Sequence, residues 1–278
     1  MNRRKKCART ISSMMLALMM GSSVIAYAEV DEPFLLDFQK AHAFSDGDMG
    51  QISYFEACAE TEYECGMIAG TVLRERERID DAETFYRKAL DTGYKDAATS
   101  IANMHTQEGN YVEGFAWSRL AYALDDPQQE LGDDELHRLS SFRLLAMNFQ
   151  AMNEQQRREA EQRSLEILDE WIPELHDKIQ KEQEQQKKRE DAPFKVLKRV
   201  NPRYPRDLAI KRVHGFALLY GEVDLDGNLV DAIAMDYSHR RFEGESLKAF
   251  SKWQFEVTDP DRARSLSVIQ RMDFFIDE

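Results

Sequence analysis

The chain has 278 residues, of which 37 are basic and 51 are acidic, and a formal net charge of −14 at pH 7. A surplus of negative charge disfavours nucleic acid and anionic membrane surfaces as partners of the chain as a whole, because both are themselves anionic. The surplus is uneven: residues 29–193 carry 18 basic and 37 acidic side chains, whereas residues 194–278 carry 14 of each. This change of composition predicts two domains.

The N-terminus has the three parts of a secretory signal peptide. A basic cluster at residues 3–9 precedes an apolar run at residues 11–25, and Ala26-Tyr27-Ala28 supplies the small residues of a cleavage site. We expect residues 1–28 to be removed and the mature protein to reside in the periplasm. The alternative is an uncleaved segment that anchors the protein in the inner membrane, because the run is nearly long enough for a tilted span. Gly21-Ser22-Ser23 interrupts the run and favours cleavage.

Two cysteines, Cys58 and Cys65, belong to the expected mature chain. In an oxidising compartment they are expected to form a disulfide, the alternative being two buried free thiols. Positions seven apart on one continuous helix are separated by about 10 Å of rise, which is too far for a disulfide. The bond therefore predicts that the helix breaks near residues 60–62, as in a helix hairpin.

An internal repeat extends over residues 66–124, with an offset of 32 residues from Ile79 to Tyr111. Small residues and aromatic residues recur at equivalent positions of the two units: Ala82 with Gly114, Phe85 with Trp117, and Ala89 with Ala121. The pattern resembles the tetratricopeptide and Sel-type repeats, whose units are helix pairs of similar length. It predicts an all-α helical repeat domain over residues 29–173, although an ordinary helical bundle could give the same pattern.

Residues 174–193 are highly charged and lack an apolar period after Ile179. This composition predicts a charged linker, either a solvated helix or a mobile segment.

Residues 194–278 have the pattern of a small α+β domain. Strands are predicted at residues 215–223, 229–236 and 266–276, with a hairpin turn at Asp226-Gly227. Helices are predicted before the first strand and at residues 242–253. The expected order is helix, strand, strand, helix, strand, with an antiparallel sheet.

Several motifs in this region occur in a fixed order. They are Pro202-x-Tyr204-Pro205-x-x-Leu208-Ala209, Gly215 at a strand start, Asp226-Gly227 at a turn, Phe242 before a helix, and Lys252-Trp253-x-Phe255 after it. This series resembles the C-terminal domain of TonB. The proline that usually follows the Trp-x-Phe motif in that family is replaced by Glu256-Val257-Thr258. The retained membrane anchor and the long Pro-rich spacer of a family transducer are not evident either.

The resemblance implies a partner-binding module. TonB-like domains bind a segment of an outer-membrane receptor by adding it as a strand, a mode that depends mainly on backbone hydrogen bonds. Carried over by position, the partner-binding residues are Val200, Asn201, Pro202, Arg203, Tyr204 and Pro205. The implied partners are envelope proteins, including an outer-membrane TonB-dependent receptor, and the implied role is in transport across the outer membrane.

The first predicted strand of this domain is apolar on both faces. Phe216, Leu218 and Tyr220 share one face, while Leu219 and Val223 lie on the other. An exposed face of three large apolar side chains is unfavourable, so we expect the linker helix, the repeats or a second copy of the domain to cover it.

The sequence shows no pattern typical of catalysis. The six histidines are scattered, and Asp224-Leu225-Asp226-Gly227-Asn228 fits a hairpin turn better than a calcium loop. We expect no enzymatic activity, no cofactor, no metal site and no small-molecule substrate. Two hypotheses follow: an adaptor whose C-terminal domain docks an envelope protein, or a helical-repeat scaffold in which that domain is structural or mediates self-association.

Overall fold

The computed structural model describes residues 36–125, 134–190, 194–258 and 266–276. The predicted signal peptide, residues 1–28, lies outside these ranges. Within the described residues, no helix combines the length and the apolar content that are needed to cross a membrane.

The first part of the described chain is helical. Its helices are α1 (Phe38–Asp46), α2 (Ile52–Cys58), α3 (Tyr63–Arg74), α4 (Ile79–Asp91), α5 (Ala97–Gln107), α6 (Tyr111–Leu124), α7 (Asp134–Ala151) and α8 (Glu154–Glu190). Short turns join the successive helices from α2 to α6, and α3 packs on α4 as α5 packs on α6.

The helices α4 and α6 begin at the residues that the repeat alignment makes equivalent, Ile79 and Tyr111. The equivalent small and aromatic positions are buried in both helices: Ala82, Phe85 and Ala89 in α4, and Gly114, Trp117 and Ala121 in α6. Small residues at these positions let the helices approach closely. The helix pairs are therefore observed, while their identity as tetratricopeptide or Sel-type repeats stays a prediction.

The last helix of this region, α8, is a continuous helix from Glu154 to Glu190 and so crosses the expected boundary between residues 173 and 174. Its side chains Leu175 and Ile179 are buried in the main hydrophobic cluster. The Lys178 ammonium lies 3.3 Å from the Asp91 carboxylate of α4. At least as far as Ile179, the expected linker is therefore packed against the helical region.

The second part is a small α+β region. It contains β1 (Phe194–Lys198), α9 (Arg206–Ile210), β2 (Gly215–Val223), β3 (Leu229–Tyr237), α10 (Arg240–Phe250), β4 (Gln254–Val257) and β5 (Leu266–Phe274). Three strands form an antiparallel sheet in the order β3-β2-β5, and β1 pairs antiparallel with β4. The predicted fold class, a helical region followed by a small α+β region with antiparallel sheets, is confirmed.

The predicted order of elements in this region was incomplete, because β1 and β4 were not expected. Four of the five residues of β1 are exposed, so its sequence lacks the alternation that marks a half-buried strand. The short strand β4 directly follows α10 and is held partly by the hairpin turn: the Phe255 N–H donates to the Gly227 carbonyl at 2.8 Å. Gly227 has a φ of 81°, which explains the glycine at this turn.

The central strand β2 is buried on both faces. Leu219 and Val223 pack in a cluster with Trp253 and other aromatic side chains around α10 and β4. On the opposite face, Leu218 and Tyr220 belong to the main cluster of the helical region. The sheet thus lies between α10 and the helical region, and the two regions share one hydrophobic core.

Candidate functional site

The outer edge of β3 is occupied by helix α3. The Thr71 hydroxyl donates to the Met235 carbonyl at 2.8 Å, and the Arg74 guanidinium donates to the Tyr237 carbonyl at 2.8 Å. The Tyr237 N–H donates to the Asp236 carboxylate at 2.7 Å. At the C-terminal end of this edge, the carbonyls of Met235 and Tyr237 and the N–H of Tyr237 are therefore already bonded and not open to another strand.

A buried ion pair fixes α3 to β3. The side chains of Arg74 and Asp236 are 6% and 1% exposed, and their charged groups are 2.9 Å apart. The other oxygen of the Asp236 carboxylate accepts from the Ser100 hydroxyl of α5. Burial alone would lower the pKa of the Arg74 guanidinium, but the nearby Tyr86, Asp236 and Tyr237 raise it, so Arg74 stays charged. The pair is satisfied by hydrogen bonds, as a buried pair must be.

The outer edge of β5 is different. Phe216 of β2 uses both its N–H and its carbonyl toward Ser238, on the β3 side of the strand. In the β2–β5 ladder, Phe216 must then form a non-hydrogen-bonded pair with its partner Asp273. The N–H and carbonyl of Asp273 consequently point away from β2, and by alternation so do those of Arg271 and Ile269. Among the described residues, β5 pairs with β2 alone.

A fixed segment lies opposite this edge. The Trp253 indole N–H donates to the Val200 carbonyl at 2.9 Å, and the Tyr204 hydroxyl donates to the Val213 carbonyl at 2.6 Å. The Tyr204 ring also makes edge contacts with Phe242 and Phe274, with centroids 5.7 and 5.6 Å apart. The segment is therefore held by both ends, although it has no strand pairing with β5 among the described residues.

The space between this segment and β5 is a groove of about 350 Å³, which we name the β5 groove. Its lining residues are Arg199, Asn201, Pro202, Tyr204, Trp253, Gln270, Arg271, Met272, Asp273, Phe274 and Phe275. The edge of β5 forms one side of the groove, and the fixed segment forms the opposite wall. It can hold an extended chain that pairs with β5, with the wall selecting among side chains.

The groove contains fixed charges as well as backbone groups. The guanidinium of Arg271 lies 4.0 Å from the centroid of the Phe216 ring and 2.9 Å from the Asp273 carboxylate. Arg199 lies over the Trp253 ring at 4.8 Å. These charges lie close to aromatic rings, so a partner segment would meet both apolar and polar surface.

The residues predicted for partner binding lie at different places in the structure. Asn201, Pro202 and Tyr204 line the β5 groove, and Val200 supports it through the bond from Trp253. Arg203 lines a neighbouring cavity that Tyr204 shares, and Pro205 is buried in front of α9. The residues of β5 that line the same groove were not among the predicted ones. The only signal for them was the alternation in the last strand, which does not tell which edge of the sheet is open.

The other predicted residues lie away from the groove. Leu218 and Tyr220 are buried against the helical region, where the Tyr220 ring is 5.9 Å from the ring of Phe38. Phe216 is half-buried beneath Arg271. Cys58 and Cys65 are disulfide-bonded across the turn between α2 and α3, with Cα atoms 5.8 Å apart. Within the described ranges, no group of three or more His, Cys, Asp or Glu side chains is placed to hold a metal ion.

Comparison with solved structures gives a match to the solution NMR structure of the Pseudomonas aeruginosa TonB CTD. The match has 23% sequence identity and a TM-score of 0.28, and it covers 32% of this chain and 91% of that chain. No family model matches the chain, and no curated protein matches it.

Proposed function

We propose that this protein is a periplasmic adaptor whose C-terminal region binds an extended segment of an envelope protein by strand addition at β5. The observation that supports the proposal most directly is the contrast between the edges of the sheet. Helix α3 bonds to the backbone carbonyls of Met235 and Tyr237 in β3, whereas β5 directs the N–H and carbonyl of Asp273 toward the β5 groove. Added strands gain affinity chiefly from backbone hydrogen bonds at such an edge.

The motifs around Tyr204 and Trp253 support the choice of partner. They carry the sequence resemblance to TonB, and the side chains of both form the wall of the groove. We therefore propose an outer-membrane TonB-dependent receptor as the partner and transport across the outer membrane as the process served. The fold offers the helical region as a second surface, which an adaptor needs.

A second candidate function has its own support. Leu218, Tyr220, Ile233 and Met235 of the sheet belong to the same buried cluster as the helical region. In a helical scaffold, the sheet would serve to complete that core. The two candidates differ in one respect: the adaptor needs the open edge of β5, and the scaffold does not.

The full mature chain, rather than residues 194–278 alone, is the right material for the test, because the isolated region would expose this cluster. A peptide with the box sequence of a TonB-dependent receptor is titrated and followed by amide NMR. The adaptor predicts shifts along Ile269–Asp273 and along the groove wall. Asp273→Pro removes the outward N–H together with the side chain, whereas Asp273→Ala removes the side chain only.

We expect Asp273→Pro to abolish peptide binding and Asp273→Ala to retain it, since the affinity comes from the backbone. Both variants should unfold cooperatively, because the N–H of residue 273 does not pair with β2. If receptor box peptides cause no shifts in the parent chain, the scaffold is the better account. Equal loss in both variants would show that the Asp273 carboxylate, and not strand addition, carries binding.

A further inference from the structure

A second cavity lies on the other side of Tyr204, between α9 and α10, and we name it the basic pocket. Its volume is about 470 Å³. Its lining residues are Arg203, Tyr204, Pro205, Arg206, Arg241, Gly244, Glu245 and Lys248. Four of the eight are cationic and one is anionic. Such a balance is unusual for a chain with a net charge of −14.

The sequence around the pocket is locally basic. Residues 194–212 contain seven basic side chains and one acidic side chain, Asp207. The basic ones are Lys195, Lys198, Arg199, Arg203, Arg206, Lys211 and Arg212. The net charge of the whole chain conceals this concentration. The exclusion of anionic partners therefore does not extend to this surface.

Two of the four cations of the pocket have no carboxylate partner among the described residues. Arg203 and Arg206 are exposed, and neither forms an ion pair with any described residue. Arg241 lies 2.9 Å from the Asp207 carboxylate, and Lys248 lies 3.2 Å from the Glu245 carboxylate. Arg203 and Arg206, which have no described carboxylate partner, lie on either side of Tyr204-Pro205 in the sequence. The hydrogen bond from the Tyr204 hydroxyl to the Val213 carbonyl holds this pair in place.

Gly244 leaves the basic pocket accessible to a ligand. It lies within α10, where glycine is less favourable than alanine because it loses more backbone entropy on folding. Packing does not require it, since a Cβ atom added to Gly244 would meet no described atom within 4 Å. Because Gly244 lines the basic pocket, the absence of a side chain there keeps the pocket open.

We propose that the basic pocket binds a phosphate group, carried either by a lipid headgroup or by a small soluble molecule. Guanidinium groups match the geometry and charge of phosphate oxygens. Several cations around one cavity suit a multivalent anion better than a single carboxylate. The volume is within the range of small-ligand sites. The proposal does not depend on strand addition at β5, since the charges and Gly244 lie outside the β5 groove.

The test uses the full mature chain at near-physiological ionic strength, where exposed charges more than about 8 Å apart are largely screened. Inorganic pyrophosphate is titrated by calorimetry, and mixed phosphatidylglycerol–phosphatidylcholine vesicles are compared with pure phosphatidylcholine vesicles. Saturable binding of pyrophosphate alone assigns a soluble phosphate compound. Binding only to the mixed vesicles assigns a lipid headgroup. Binding of neither probe overturns the proposal.

Variants then locate the site. The double variant Arg203→Gln/Arg206→Gln should weaken binding by roughly tenfold or more, the loss expected for charge-assisted contacts. The control Lys211→Gln/Lys252→Gln removes the same charge outside the pocket and should leave affinity unchanged. Gly244→Gln places a neutral side chain in the pocket. It should weaken binding while raising the midpoint of thermal unfolding, so that misfolding cannot explain the loss.

Two results would overturn the assignment. Equal weakening in the control would show diffuse attraction to the basic segment. Unchanged affinity in Gly244→Gln would show that the anion binds elsewhere. An acidic peptide that binds with the same dependence on Arg203 and Arg206, in place of both phosphate probes, would also contradict a phosphate site.

Discussion

The two edges of the three-stranded sheet have the same backbone chemistry and different surroundings. At the C-terminal end of β3, Thr71 and Arg74 of α3 bond to the carbonyls of Met235 and Tyr237, so these groups are not open to another strand. At β5, the outward groups face a groove whose wall is anchored by Tyr204 and Trp253. The helical region therefore makes the two edges different: α3 occupies the end of one edge, and the other edge faces the groove.

The largest expected effect comes from breaking the occupied edge. In Asp236→Ala, the Arg74 guanidinium would remain charged in a buried site without its partner. We expect the free energy of unfolding to fall by about 3–5 kcal/mol, the usual cost of removing one member of a buried pair. Urea denaturation measures this directly.

The matched control for that change is Asp231→Ala. Asp231 pairs with His42 of α1 at 2.8 Å, but both side chains are well exposed. We expect the free energy of unfolding to fall by less than about 1 kcal/mol, because solvent screens the attraction between exposed charges. Similar losses in the two variants would contradict the role given to the buried pair.

The next effect concerns the disulfide that ties α3 to α2. We expect no free thiol at Cys58 or Cys65 in protein exported under oxidising conditions. Replacing both by serine should lower the free energy of unfolding by about 2–3 kcal/mol, since the closed loop is short. Thiol labelling without reductant tests the bond, and reaction of both cysteines would show that it is absent.

A smaller effect is expected at the wall of the β5 groove. Tyr204→Phe removes the hydroxyl that donates to the Val213 carbonyl at 2.6 Å and keeps the ring contacts. The free energy of unfolding should fall by about 0.5–1.5 kcal/mol, which is the net contribution of one hydrogen bond. Tyr111→Phe is the control, because the Tyr111 hydroxyl bonds to no described residue. An equal loss in the control would argue that the Tyr204 hydroxyl does not hold the wall.

The smallest effect depends on pH. Burial raises the pKa of the Glu243 carboxyl, and the Glu75 carboxylate raises it further, whereas Arg240 and Arg74 oppose the shift. The folded state then binds this proton more tightly than the unfolded state. The corresponding stability is present at low pH and is lost as pH rises from the ordinary glutamate value through the raised one.

Glu243→Gln is neutral at every pH and tests this sign. It should be more stable than the parent protein at about pH 7, by less than about 1 kcal/mol, and nearly equal to it below about pH 4. At the lower pH the parent carboxyl is protonated in both the folded and the unfolded state, so the substitution changes no charge there. A variant that loses stability at neutral pH would contradict the shift.

Local patterns predicted the elements that depend on local sequence. The offset between Ile79 and Tyr111 correctly aligned two helices, and Asp226-Gly227 correctly marked the hairpin between β2 and β3. No helix was predicted at Phe38–Asp46, although the Asp37 side chain caps this helix by accepting a hydrogen bond from the Lys40 N–H. Aspartate is a preferred N-cap residue, so the sequence did carry a signal for the start of this helix.

The remaining features depend on contacts between distant residues. The short strand β1 is stabilised by β4, which follows α10. The occupied edge of β3 requires Thr71 to meet Met235, 164 residues further along the chain. The basic pocket joins Arg203 to Lys248 across two helices. Patterns within a short window of sequence do not reveal contacts between residues that are far apart in the chain. The sequence could therefore predict neither the open edge nor the pocket.

Residue-resolved amide hydrogen exchange on the full mature chain tests the open edge most directly. In the free protein, the account predicts fast exchange for the outward amides of Ile269 and Asp273, and slow exchange for the Tyr237 amide at the occupied edge. Added receptor box peptide should protect these β5 amides and leave Tyr237 unchanged. Slow exchange at both β5 amides without a partner, or protection confined to the β3 edge, would contradict strand addition at β5.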